Sequence, residues 1–195
     1  MKKNCTELVI ILDKSGSMNS LAGDVIGGYN ALIADQRKQA GDVFVTTILF
    51  DTRYKTVHSR ENIKSVGDMD AKTYIPGGCT ALLDALGTAI ANLKETYAKL
   101  PEEEIPEHVI FSIMTDGLEN SSREYTYDVI KKLVSDQKKA GWDFLFQAAN
   151  IDAFAEGHRL GISPEDTASF MASKGGVHLC FCSMNERIHS KRREK

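Results

Sequence analysis

Residues 7–13, Glu7-Leu8-Val9-Ile10-Ile11-Leu12-Asp13, decide the fold. The stretch is short, continuously apolar and rich in β-branched residues. A strand buried on both faces reads this way, as in a parallel sheet under helices. Beyond it, Val25, Ile26, Tyr29, Leu32 and Ile33 recur at helical spacing and form one amphipathic face, and Gly41 closes that helix. Residues 43–50 read as a second strand and 53–57 as a third. Only Asp51 and Thr52 separate these two, so they are expected to pair antiparallel.

Downstream, residues 59–79 read as irregular, and Leu82, Leu83, Leu86, Ile90, Leu93 and Tyr97 define a long amphipathic helix. Pro101 and Pro106 bracket three glutamates in an exposed connection. Residues 108–115 form the next buried strand. Ser121 and Glu124 have capping-box spacing ahead of a helix carrying Val129, Ile130, Leu133 and Val134. Residues 142–149 read as a strand and 152–160 as a short helix stopped at Gly161. Ser163 and Pro164 start another helix, residues 177–182 form a last strand, and 184–195 form a basic tail. Strands alternating with helices imply a doubly wound α/β sheet with helices on both faces. No repeat or linker interrupts it, so one domain over residues 1–183 is expected.

Composition agrees with an ordinary globular chain. The 195 residues include 42% hydrophobic and 26% charged residues, which disfavours disorder and coiled coil. A chain of this length buries about 70% of its unfolded surface and needs no disulfide or metal to hold it together. A net charge of −3 gives no general attraction to nucleic acid. The apolar run after Met1-Lys2-Lys3 is too short for a signal peptide, and no stretch approaches the ~20 apolar residues of a membrane span. A cytoplasmic protein is expected. Of the four cysteines, Cys180 and Cys182 flank Phe181; in a strand they share one face, which points to core packing, since a C-x-C half-site lacks a second pair. The five histidines are scattered, none paired with another at a metal-binding i, i+4 spacing.

Doubly wound sheets bind ligands outside the carboxyl ends of their strands, near the reversal of strand order. The loop expected there reads Asp13-Lys14-Ser15-Gly16-Ser17, and its three oxygen groups can converge on one hard cation. Asp116, in Thr115-Asp116-Gly117, follows the strand expected to neighbour the first. Thr80 heads a helix after Pro76-Gly77-Gly78. Five oxygen side chains from three segments suit Mg²⁺ or Mn²⁺ and disfavour Zn²⁺ and Cu²⁺.

This pattern, D-x-S-x-S, then Thr, then Asp in T-D-G, resembles the metal ion-dependent adhesion site (MIDAS) of the von Willebrand factor type A (vWA) family, over about residues 6–183. Stand-alone bacterial cytosolic members are the most similar. The resemblance implies a six-stranded Rossmann-like sheet with one antiparallel edge strand and a divalent cation at its top. By the same analogy Ser15, Ser17 and at times Thr80 touch the metal, while Asp13 and Asp116 act mainly through bound waters. Neutral hydroxyls leave much of the cation's charge uncompensated, so an open position takes a Glu or Asp of a partner protein. In members that switch affinity, a long helix moves after the last strand; with 184–195 read as a tail, no such piston is expected here. Lys14 is expected to face solvent, and Glu119 and Asn120 either tune the binding face or cap the following helix.

The expected function is a non-enzymatic, metal-dependent protein-binding module. The alternative is a Mg²⁺-dependent hydrolase acting on phosphate esters. Against it, an aspartyl-phosphate mechanism needs a second Asp where Ser15 stands, and the chain has neither a P-loop nor a G-x-S-x-G elbow.

Overall fold

The computed structural model describes residues 1–193. Its strands are β1 (Lys2–Asp13), β2 (Asp42–Phe50), β3 (Tyr54–Asn62), β4 (Pro106–Thr115), β5 (Trp142–Ala148) and β6 (Thr167–Ser169). Its α-helices are α1 (Ala22–Lys38), α2 (Leu82–Tyr97), α3 (Tyr127–Lys139), α4 (Ala153–Leu160) and α5 (Lys174–Lys191). The sheet order is β3-β2-β1-β4-β5-β6, with only the β2–β3 pair antiparallel. Strand order reverses between β1 and β4, so the loops after these two strands open side by side.

The central position of β1 follows from its sequence, for every residue from Cys5 to Asp13 is buried. Leu8, Ile10 and Leu12 join a core with α1 and α5, while Val9 and Ile11 join the opposite core with α2, α3 and α4. Glu7 places a buried carboxyl inside this strand, as Asp13 does at its end. The Glu7 carboxylate accepts from Arg60 Nε at 2.8 Å and from the Tyr97 hydroxyl at 3.3 Å. Arg60 reaches it from a break in the β2–β3 register, with φ at +48°. Burial pushes the Glu7 carboxyl up to about 7, against the pull of Arg60.

The end of the chain departs from expectation. The last strand is Thr167–Ser169, and residues 177–182 lie inside the 18-residue helix α5. Val177, Cys180, Phe181, Met184 and Ile188 are all buried at spacings of three, four and seven residues, a helical stripe that a short window reads as a continuous apolar run. Cys180 and Cys182 therefore face apart: Cys180 is buried, its thiol pushed up to about 12 by desolvation, and Cys182 is exposed. The expected boundary at residue 183 falls within α5, and residues 194 and 195 of the expected tail lie outside the described residues. Basic side chains of this segment pin the helix. Arg187 donates to the carbonyl of Glu165 at 3.0 Å, Lys191 pairs with Asp143 at 3.0 Å, and Arg192 donates to Gln36 Oε1 and the Ala40 carbonyl, each at 2.7 Å. A long helix thus follows the last strand after all. Beside it, α1 approaches closely: a Cβ on Gly28 would stand 2.2 Å from the Phe181 ring.

Two further starts differ. Helix α3 begins at Tyr127 under a Thr126 cap, since Ser121 and Ser122 are held by Glu119 instead, and the segment from Pro164 makes only a 3-10 turn. Helix α4 begins as read, with Asp152 accepting from the N–H groups of Phe154 and Ala155 and Gly161 in the left-handed region closing it. Among the described residues no helix is long and apolar enough to cross a membrane.

Candidate metal centre

Loops at the carboxyl end of the sheet carry the five residues singled out by sequence. Asp13, the last residue of β1, is fully buried and forms the floor. Its Oδ1 accepts from the Ser15 N–H at 2.7 Å, which curls the loop back over the strand end, and its Oδ2 accepts from the Thr115 hydroxyl at 2.6 Å. Ser15 Oγ and Ser17 Oγ are 3.1 Å apart, and the Ser17 hydroxyl donates to Asp116 Oδ1 at 2.6 Å. Asp13, Ser15, Ser17 and Asp116 thus form one hydrogen-bonded cluster, with exposed Ser17 on its solvent side. Thr80 stands alongside: it is buried, and a Cβ on Gly117 would be 3.7 Å from its Oγ1.

Neighbouring segments set this arrangement. The Gly77 N–H donates to the Lys14 carbonyl at 2.8 Å and the Gly16 N–H to the Gly78 carbonyl at 3.1 Å, tying the Thr80 segment to the first loop. Gly78 has a φ of +72°, and a Cβ there would meet Thr52 Oγ1 at 2.9 Å, so both backbone and space require glycine. Asn120 ties the Thr80 segment to the third loop: its N–H donates to the Thr80 carbonyl and its Oδ1 accepts from the Thr80 N–H, both at 3.0 Å. Glu119 accepts from the N–H groups of Leu83, Ser121 and Ser122, capping α2. Asn150, at φ +58°, donates to the Asp116 carbonyl, and the buried Tyr74 hydroxyl donates to the Asp13 carbonyl.

The electrostatics favour a cation. Burial raises the Asp13 carboxyl above the usual aspartate range, and the nearby Asp116 charge raises it further, against hydrogen bonds from Thr115 and Ser15. Among the described residues no lysine or arginine forms a salt bridge with Asp13 or Asp116. Lys14, read as facing solvent, is largely buried and pairs with Asp51 at the end of β2, because the Lys14 N–H is drawn to the Phe50 carbonyl and the side chain follows β2. Among the described residues no three His, Cys, Asp or Glu side chains gather as metal ligands, so a cation here would take hydroxyl oxygens beside the two carboxylates. All five donors are oxygens, a set that fits a hard divalent ion.

Thr115, Tyr74 and Asp51 carry structural roles at the site that no sequence pattern assigns, while Asn120 braces the Thr80 segment rather than capping the following helix and Lys14 pairs with Asp51 rather than facing solvent. Of these, Thr115 inside T-D-G and Lys14 inside D-x-S-x-S lie within a recognisable motif.

Solved structures match this architecture. Proximal thread matrix protein 1 of the mussel byssus aligns over 94% of this chain at a TM-score of 0.63 and 14% identity. The vWF domain of the type V pili tip protein Mfa5 of Porphyromonas gingivalis aligns over 97% of both chains at 0.65 and 10%. The fold is that of a vWA domain. A von Willebrand factor type A protein of Catenulispora acidiphila aligns over 92% at 0.59 and 12%. This vWA-fold chain spans 46% of the mussel protein's length, and a further structure of that protein is described with a zinc-occupied MIDAS motif. No family model matches the sequence, and no curated protein is recognisably similar to it.

Proposed function

We propose that this chain is a divalent-cation-dependent protein-binding module, in which Asp13, Ser15, Ser17, Thr80 and Asp116 hold Mg²⁺ or Mn²⁺ and the cation captures a Glu or Asp of a partner protein. The observation that carries this reading is the cluster at the β1–β4 reversal, where Ser15, Ser17 and Asp116 meet over the buried Asp13 carboxylate. The zinc-occupied MIDAS of the mussel protein, on the same fold, supports a cation at this end of the sheet.

Each residue has a part. Asp13 supplies buried negative charge and shapes the loop through the Ser15 N–H; Ser15 and Ser17 offer neutral oxygens; Asp116 supplies the second charge; Thr80 stands ready at the side. A bound cation supplies Lewis acidity toward an incoming carboxylate. Two carboxylates and neutral hydroxyls leave the site able to accept one more anionic group. The module works by binding rather than catalysis, and four free cysteines suit a cytoplasmic setting.

Calorimetric titration of Mg²⁺ and Mn²⁺ into EDTA-treated protein, beside Asp13→Ala, tests it. Saturable one-site binding that the variant loses supports the reading; wild-type protein that binds neither ion, alone or with an acidic peptide present, overturns it.

A further inference from the structure

Helix α5 carries a pair of side chains with metal-ligand chemistry far from hard-ion chemistry. His178 and Cys182 are both exposed, one turn apart, with Cys182 Sγ 3.7 Å from His178 Nε2. Residues at i and i+4 lie on one helix face, the spacing by which helical histidine pairs hold zinc. With Zn–S of about 2.3 Å and Zn–N of about 2.0–2.1 Å, a tetrahedral ion needs a sulfur–nitrogen separation of about 3.5 Å. The observed pair is already near that bite.

We propose that His178 and Cys182 form a second, independent metal site, a two-point chelate for a borderline-soft divalent cation of the zinc class. Its support is rigid. Val177 and Phe181, each adjacent in sequence to one ligand, are buried, and Arg187, Lys191 and Arg192 pin the same helix. Binding displaces the Cys182 thiol proton to solvent, and the thiolate and neutral imidazole each donate one electron pair to the ion. Among the described residues no third His, Cys, Asp or Glu completes the set, so water fills the remaining positions. Of the other cysteines, Cys5 and Cys180 are buried, leaving Cys79 as the second exposed thiol.

Co²⁺ titrated into the reduced, EDTA-treated full chain tests this, because a thiolate ligand gives a near-ultraviolet charge-transfer band that oxygen ligands do not. The wild type and Cys79→Ser are expected to show the band, Cys182→Ser to lose it, and His178→Ala to need at least tenfold more Co²⁺. Circular dichroism is expected to be the same for all four proteins, since both ligands are exposed. A band that survives in Cys182→Ser, that disappears in Cys79→Ser, that is indifferent to His178→Ala, or that is missing from the wild type overturns the proposal.

Discussion

Thr80 and Asn120, forty residues apart in the chain, exchange two hydrogen bonds: the Asn120 N–H reaches the Thr80 carbonyl and the Thr80 N–H reaches Asn120 Oδ1, each at 3.0 Å. The pair joins the segment before α2 to the loop after β4, and so fixes how far the Thr80 hydroxyl stands from Asp116. Asn120→Ala removes one of the two bonds. It is expected to cost about 1 kcal/mol of stability and to weaken divalent-cation binding several-fold. Calorimetry and urea denaturation on the same variant separate the two effects; unchanged cation affinity would mean that Thr80 needs no such support.

Lys14 lies inside the D-x-S-x-S loop yet serves Asp51, with both side chains largely buried. Lys14→Met leaves that carboxylate without its charged partner and is expected to destabilise the fold by about 3 kcal/mol. Lys14→Met/Asp51→Asn, which removes both charges, is expected to recover part of the loss. Urea melts of the single and double variants check both values.

Glu7 links stability to pH. Its carboxyl is raised from 4.5 to about 7 in the fold, so between those values the folded chain holds a proton that the unfolded chain has released. The stabilisation is complete below about 4.5 and is lost as pH rises through about 7. Glu7→Gln is expected to flatten this slope, which amounts to up to about 3 kcal/mol in the wild type. Denaturation midpoints measured from pH 4.5 to 8 test it, and parallel curves for the two proteins would refute the assignment.

Gly28 marks where α1 meets α5. Since a Cβ there would stand 2.2 Å from the Phe181 ring, Gly28→Ala is expected to lower stability by about 1–3 kcal/mol despite alanine's better helix propensity. Gly27, the next residue, has nothing within 4 Å of its would-be Cβ, and Gly27→Ala is expected to be neutral or stabilising. Thermal melts of the two variants give the contrast.

The sheet was legible wherever burial was two-sided, as in β1, whose apolar run has no polar face to confuse the reading. The D-x-S-x-S, Thr and T-D-G positions were legible because each sits at a strand or helix end that local pattern locates. Helix α5 was misread because Val177-His178-Leu179-Cys180-Phe181-Cys182 fits a strand in a six-residue window, and only Met184 and Ile188 extend the helical stripe. The tie from Asn120 to Thr80 and the turn of Lys14 toward Asp51 were hidden for another reason. They depend on loops brought together by the β1–β4 reversal, and no local sequence pattern encodes that proximity.

The two margins of the sheet have a consequence for life at high concentration. An outer strand offers unpaired N–H and C=O groups to any neighbour, and a long flat one invites strand-by-strand association. Here β6 is three residues long, and β3 breaks its register near Arg60, whose side chain turns inward to Glu7. One margin is too brief to template a partner strand and the other too bent. Copies crowded together can therefore meet without growing into one another's sheets.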